Sequence, residues 1–292
     1  LAIITLTTDF GSTAGYVAQM KAVLLRRSPD SVLVDITHDV PPQNTTAAAI
    51  WLADTLPWFP SGSVHLAVID PGVGTSRKIL VGRFECPNQS GINDQHFIVG
   101  PDNGLFSLLN IVDAWHLDET AMRTVRNVSN TFHGRDLMAP AAAAIAGGIP
   151  LSELGERRID PVRFPLPKPE HRSDAPAGST EIRGKVLYAD SFGNLITNIH
   201  SADYPSGHTI TEAWIDCPKE STPILARPVA TYGDATPGEL VVLWGSGGRV
   251  EFAVCNGNAA ERLALDVYGA DSRSLPSLTL RLDDSTDRRD AP

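Results

Sequence analysis

Cysteine is scarce in this 292-residue chain: three residues, Cys86, Cys217 and Cys255, far apart and odd in number. They form no CxxC pair and no disulfide framework, which excludes a disulfide-stapled secreted module and fits a reducing cytoplasm. Positive charge is short too, with 24 Lys and Arg against 34 Asp and Glu and a net charge of −10. No basic cluster is present to track a phosphate backbone, so nucleic acid is not an expected partner. The acidic balance serves solubility. No apolar run approaches the roughly 20 residues that cross a membrane, so no membrane partner is expected. Leu1–Leu6 enter strand-like sequence directly, without a basic segment or a cleavage site. No signal peptide is therefore expected, and the cytoplasm is the expected location.

Common site motifs are missing as well. There is no GxGxxG, and no GxxxxGK[ST] ahead of a helix. Gly245-Ser246-Gly247-Gly248 falls between two strands and fits a β turn, and Ser246 lacks the GxSxG nucleophile-elbow context. HExxH and Cys/His knuckles are absent. Asp35, His38 and Asp39 stand close together, and His133 and Asp136 make an HxxD, but neither set has good metal spacing, so no metal is expected.

What is present suits a soluble globular enzyme. Apolar residues make up 42% and charged residues 20%, and the length favours two domains. Strand-like Ala2–Leu6, Ser31–Ile36 and Ser63–Ile69 alternate with helical spacing over Gly15–Arg27 and Thr45–Leu56. Further strands are expected at Ile79–Phe84 and His96–Val99. A short helix is expected after Asn103-Gly104, and an alanine-rich helix near Leu137–Ala146. This rhythm predicts an α/β domain over residues 1–164, with a mostly parallel sheet and helices on both faces. Pro165, Pro167, Pro169 and Pro176 mark a linker over 165–180. Short strands and Gly/Pro turns then predict a smaller β domain over 181–282, a barrel or sandwich. Residues 283–292 are polar and expected to be disordered.

Ligands of α/β sheets bind beyond the carboxyl ends of the strands. Asp9 and Asp70 stand at two such ends, each with a glycine two residues on. Asp9 near Gly11 suits a carboxylate that accepts from a sugar diol. His133, within Thr131-Phe132-His133-Gly134-Arg135-Asp136, could by itself be a helix cap or packing residue. On pattern alone the substrate stays open.

Seven blocks in order narrow it. They are Thr7–Gly11, Asp35–Pro42, Val68–Gly74, Gly100–Gly104, Phe132–Asp136, Asp190–Asn198 and Cys255–Ala260. Together they resemble the S-adenosyl-L-methionine hydroxide adenosyltransferase family, water-using relatives of the fluorinase and chlorinase. The resemblance implies cleavage of S-adenosyl-L-methionine to adenosine and L-methionine. It also implies a homotrimer, with sites between the N-terminal domain of one subunit and the C-terminal domain of the next. The small molecule is the substrate, and no cofactor is implied.

Water-using members carry an Asp-Arg-His set, matched here by Asp70, Arg77 and His133. Halogenases have a tyrosine where Asp70 stands: a halide needs no base, whereas water must lose a proton. Arg77 supplies the charge opposite Asp70, both groups can hold the water, and His133 can accept or relay a proton. Whether Asp70 or His133 finally takes the proton stays open at this point. By the same resemblance Asp9 binds the ribose hydroxyls, and Asp190 and Ser246 hold the methionine ammonium and carboxylate. Phe192 and Asn194 line the adenine side, Tyr232 packs flat on the base, and backbone around Val254 and Asn256 meets its edge. Gln43 stands where the fluorinase has a tryptophan over the ribose, and is left out of the core site. The rival readings are a halide-using adenosyltransferase, a binding module without turnover, and a metal-dependent nucleoside hydrolase.

Overall fold

Runs of Val, Ile and Leu bounded by turn residues build the first sheet, in a computed structural model that describes residues 1–88, 90–122, 128–158, 160–172, 179–204, 208–265, 267 and 275–283. The chain divides into two compact units, Leu1–Pro165 and Leu166–Pro292.

In the first unit the strands are β1 (Ile3–Thr8), β2 (Val32–Thr37), β3 (Val64–Val68), β4 (Ile79–Pro87), β5 (Asn93–Pro101), β6 (Asn110–Leu117) and β7 (Gly155–Arg158). The helices are α1 (Tyr16–Arg27), α2 (Thr45–Thr55), the short α3 (Glu119–Met122) and α4 (Ala139–Ala146). The strand order is β2-β1-β3-β5-β4-β6-β7. The first four strands are mutually parallel, and β4, β6 and β7 add antiparallel. The tight β4–β5 turn forces that switch, because so short a link cannot cross over a sheet face. Asn88 closes it, its side chain accepting from the Ser90 and Ile92 N–H groups at 2.9 and 3.1 Å.

Period-2 alternation along β3 feeds two cores. Val64, Leu66 and Val68 pack with Met20 and Leu24 of α1 and with the alanines of α4, while Ala67 and Ile69 pack with Ala48 and Leu52 of α2. Helices thus cover both faces, as the alternation predicts. The small side chains of α4 let it lie close on β1, β3 and β5. The expected helix after Gly104 is instead a pair of i→i+3 turns, Ser107 N–H to Gly104 O and Leu109 N–H to Phe106 O. Leu105 and Phe106 are drawn into the core there, and this anchors the segment as turns.

The second unit holds β8 (Glu170–Arg172), β9 (Ser179–Ala189), β10 (Leu195–His200), β11 (Thr209–Ile215), β12 (Ile224–Pro228), β13 (Leu240–Trp244), β14 (Arg249–Val254), α5 (Ala259–Leu263) and β15 (Ser277–Asp283). The order β10-β14-β13-β12-β11-β15-β9 closes through a β10–β9 pairing, giving a seven-stranded barrel with β8 on the flank of β9. Closure removes the sheet edges and decides between the two β architectures expected. β8 lies inside the segment expected as linker, and the expected disordered tail beyond Asp283 lies outside the described residues. β15, with Leu278, Leu280 and Leu282 buried in alternation, adds to the strands expected, as do β6, β7 and β12. Among the described residues no helix is long and apolar enough to cross a membrane.

Candidate functional site

Two groups of residues emerge, one in each unit. In the first unit β1 and β3 run side by side with Thr8 opposite Val68, so Asp9 and Asp70 leave neighbouring strands at their carboxyl ends. The loop after Asp70 turns back on itself through Thr75, whose hydroxyl donates to Gly72 O at 2.7 Å and accepts from Arg77 N–H at 3.3 Å. Arg77 thereby returns to Asp70: its Nε donates to both carboxylate oxygens at 2.8 and 3.0 Å, and Nη2 also pairs with Oδ2. Both side chains are nearly enclosed, 10% and 5% exposed, so removing either partner would strand a buried charge.

His133 completes the cluster. It immediately precedes a π-helical turn, Gly134–Met138, that runs into α4. A Cβ at Gly134 would lie 3.2 Å from Val68 Cγ1, so glycine lets this turn seat on the end of β3. Arg77 Nη2 donates to His133 Nδ1 at 3.2 Å. A guanidinium can only donate, so Nδ1 is the acceptor and the neutral ring carries its proton on Nε2. Burial, and then the Arg77 charge, hold His133 below the usual histidine value. Arg77 Nη1 is buried without a partner among the described residues.

Asp9 accepts the Gln43 N–H on Oδ2 at 2.8 Å. Gln43, left out of the site on sequence grounds, therefore belongs beside it. It sits at φ 63°, a strained conformation for a residue with a side chain. A backbone contact carries no residue-type signature, so sequence could not reveal it.

Several of the polar groups considered for a metal have other partners. His38 Nδ1 meets the Thr8 hydroxyl at 2.9 Å, and Lys21 pairs with Asp35 at 2.5 Å. Asp136 accepts from Ser129 N–H at 2.8 Å and from Arg135 Nε at 2.6 Å. No group of three or more His, Cys, Asp or Glu able to hold a metal occurs among the described residues.

In the second unit all the remaining candidates line one cavity of about 1100 Å3: Asp190, Phe192, Asn194 and Tyr232, with Ser246, Val254 and Asn256. Asp190 directly follows β9 and organises its own turn, accepting from the N–H groups of Phe192 and Asn194 at 2.9 Å each. The Asn194 amide donates to Asp190 Oδ2 at 3.0 Å, so Asn194 also braces that carboxylate. Phe192 is 75% exposed and Tyr232 44%, two aromatic faces open to a ligand. Glu251, not singled out in the sequence, lines the same cavity and is only 8% exposed.

The cavity can take a flat heterocycle between aromatic walls with a cationic end near carboxylates. The Asp70–Arg77–His133 cluster can hold and deprotonate a water. Comparison with known proteins agrees in kind. Residues 4–155 match the SAM hydroxide adenosyltransferase N-terminal domain, and residues 184–270 its C-terminal domain. A Thermus thermophilus protein named (R)-S-adenosyl-L-methionine hydrolase is 37% identical over 270 residues, 88% of this chain and 94% of that one. An Actinoplanes fluorinase is 29% identical over 222 residues, 69% of this chain and 72% of its own. The crystal structure of an uncharacterized conserved protein from Thermotoga maritima superposes with TM-score 0.79 at 29% identity, covering 95% of this chain and 99% of that chain.

Proposed function

This chain belongs to the S-adenosyl-L-methionine hydroxide adenosyltransferase family, and we propose on that footing that it cleaves S-adenosyl-L-methionine with water at the 5′ carbon, releasing adenosine and L-methionine. The observation that carries this reading is the contact of Asp70, Arg77 and His133 at the end of β3.

The chemistry asks little of the leaving group. Attack by the water oxygen forms the O–C5′ bond while the C5′–S bond breaks. The electron pair goes to sulfur, which departs as a neutral thioether needing no proton. The sulfonium is its own activating group, so the step calls for no cofactor. What the site must supply is an in-line water, a proton acceptor and exclusion of bulk solvent. Asp70 is the acceptor best placed. The Nδ1 lone pair of His133 is engaged by Arg77, whereas a carboxylate keeps lone pairs beyond those Arg77 uses. His133 then offers Nε2–H to the water oxygen and orients it, and Asp9, steadied by Gln43 N–H, takes the ribose diol. In the second unit Asp190 and Ser246 receive the methionine end, while Phe192 and Tyr232 flank the adenine.

Adenosine is the expected product with no halide requirement. In oxygen-18 water the label should appear on the 5′ oxygen, read by mass spectrometry. A 5′-chloro-5′-deoxyadenosine product dominating in chloride would sink the hydrolytic reading.

Each unit holds only part of the set, and we place the working site between the first unit of one chain and the second unit of its neighbour in a homotrimer. Cys86, Cys217 and Cys255 are free thiols, which suits a reducing cytoplasm. Activity per chain should fall steeply on dilution, in step with the loss of a trimer in sedimentation. A fully active monomer would overturn the shared site.

A further inference from the structure

Glu251 has no part in the chemistry above, yet it is a buried carboxyl within the substrate cavity. It lies on β14 between Val250 and Phe252, whose side chains fill the barrel interior. Strand alternation therefore turns Glu251 outward, to the face where Val241, Leu243 and Ala253 form a small apolar cluster with Val229 and Ala235. An outward acid would ordinarily reach water. Here the connection from β12 to β13 covers it, because those strands pair in parallel and the chain must cross over between them.

That crossover carries Tyr232. Its hydroxyl donates to Glu251 Oε1. The backbone of the same turn is held by a capping box between Thr231 and Asp234, and by Arg227, which donates to Asp234 O at 2.6 Å. The Tyr232 ring is thus tied at its tip by Glu251 and at its base by the turn. Gly245 belongs to the same arrangement: a Cβ there would fall 2.2 Å from Glu251 Oε2, so only glycine leaves the carboxyl its seat. Burial, and then the Asp190 charge, push Glu251 up to about 7. Near neutral pH a large share of it is protonated, and its carbonyl oxygen still accepts from the tyrosine.

We propose that Glu251 is a positioning residue for the adenine wall: seated under Gly245, it takes the Tyr232 hydroxyl and holds the ring across the cavity before substrate arrives. The proposal rests on the reading that this cavity takes the adenosyl group. A wall ordered in advance lowers the cost of binding and leaves the displacement step untouched.

The test separates KM from kcat. Glu251→Ala should raise KM for S-adenosyl-L-methionine, and the calorimetric Kd for adenosine, by roughly 3- to 10-fold, the scale of one lost hydrogen bond. kcat should stay within about twofold. Glu251→Gln keeps an acceptor for the tyrosine and should restore KM to within about twofold of the parent. Tyr232→Phe should match Glu251→Ala, and the double variant should be no worse than either single one. Should Glu251→Ala fail to fold, Tyr232→Phe decides alone. A lowered Tm with KM unmoved, or a Glu251→Gln variant as impaired in KM as Glu251→Ala, overturns the proposal. A parent chain that does not cleave the substrate sinks the functional reading instead, so the two failures are told apart.

Discussion

Asp70→Asn should lower the single-turnover rate by about 100-fold or more, the scale of a lost proton-transfer group, while affinity for adenosine stays within a few-fold of the parent. The amide oxygen still accepts from Arg77, but the neutral amide leaves that enclosed charge uncompensated, so Tm is measured beside the rate. What is lost is the acceptor for the proton of water. His133→Ala removes the group that orients the water and should also act on turnover. The double variant should lose less than the product of the two single losses, since residues that act as a unit are not additive. The same geometry sets the pH profile. Burial and the Arg77 charge hold His133 below its ordinary value near 6.5, so the ring stays neutral into mildly acid solution. Protonation at Nδ1 would point an N–H at Arg77 and break the 3.2 Å contact. The acid limb of the rate should therefore fall below pH 6.5. If Asp70→Asn abolished binding while the small bound fraction reacted at the parent rate, Asp70 would be a ligand-holding residue and the mechanism would be wrong.

Mild acid should destabilise the first unit well before its carboxylates titrate. His65 on β3 and His96 on β5 are buried in the sheet, with His65 Nδ1 on the Thr5 hydroxyl at 2.8 Å and the two rings joined at 3.3 Å. Burial, with the charge of its partner second, lowers His65 to about 3, and burial lowers His96 too. A histidine held neutral when folded but protonated when unfolded contributes stability above the unfolded value, which is lost as pH falls below about 6.5. Each such group costs about 1.4 kcal/mol per pH unit until its folded value is reached. Glu251 works the other way: raised from 4.5 to about 7 in the fold, its contribution is present below 4.5 and fades as pH rises toward 7. Glu251 lies in the second unit, whereas both histidines lie in the first, so the stability of the first unit should fall as pH drops from 6.5 to 4.5. Asp35 and Asp136, both lowered, add their losses only in stronger acid. His96 stacks on Phe84 with centroids 5.2 Å apart, and among the described residues its Nε2 is buried without a partner, so phenylalanine fits the place at the loss of the 3.3 Å contact to His65. His96→Phe should flatten the decline, read from urea midpoints across that pH range. Equal slopes in parent and variant, or a parent more stable at pH 4.5 than at 6.5, would refute this account.

Much of the first unit was legible from residue order because its signals are local. Strand runs, the helical period of Tyr16–Arg27 and the alanines of α4 each span a few residues and answer to backbone geometry alone. Asp9 and Asp70 could be picked out because the end of a strand is visible in sequence, and parallel strands put their ends on one side. The seven ordered blocks went further and pointed to the family and its substrate. Local pattern could not carry the choice of barrel over sandwich. That rests on the β10–β9 pairing, which closes the sheet through space.

The chemistry-bearing details depended on tertiary structure for the same reason. His133 and Arg77 are 56 positions apart, and only the folded contact assigns the imidazole tautomer on which the proposed role of Asp70 as acceptor rests. Gln43 reaches Asp9 through a backbone N–H that any residue type but proline would offer. Glu251 occupies an outward position on a strand, where sequence leads one to expect a solvated acid. Only the crossover that parallel β12 and β13 require buries it beneath Tyr232. Sequence by itself determined most elements of the first unit's parallel sheet, the family and the residue types available for catalysis, because these follow from neighbours along the chain. Tautomer, burial and the partner of each buried charge were decided by the fold, because they depend on atoms that meet only when distant segments close on one another.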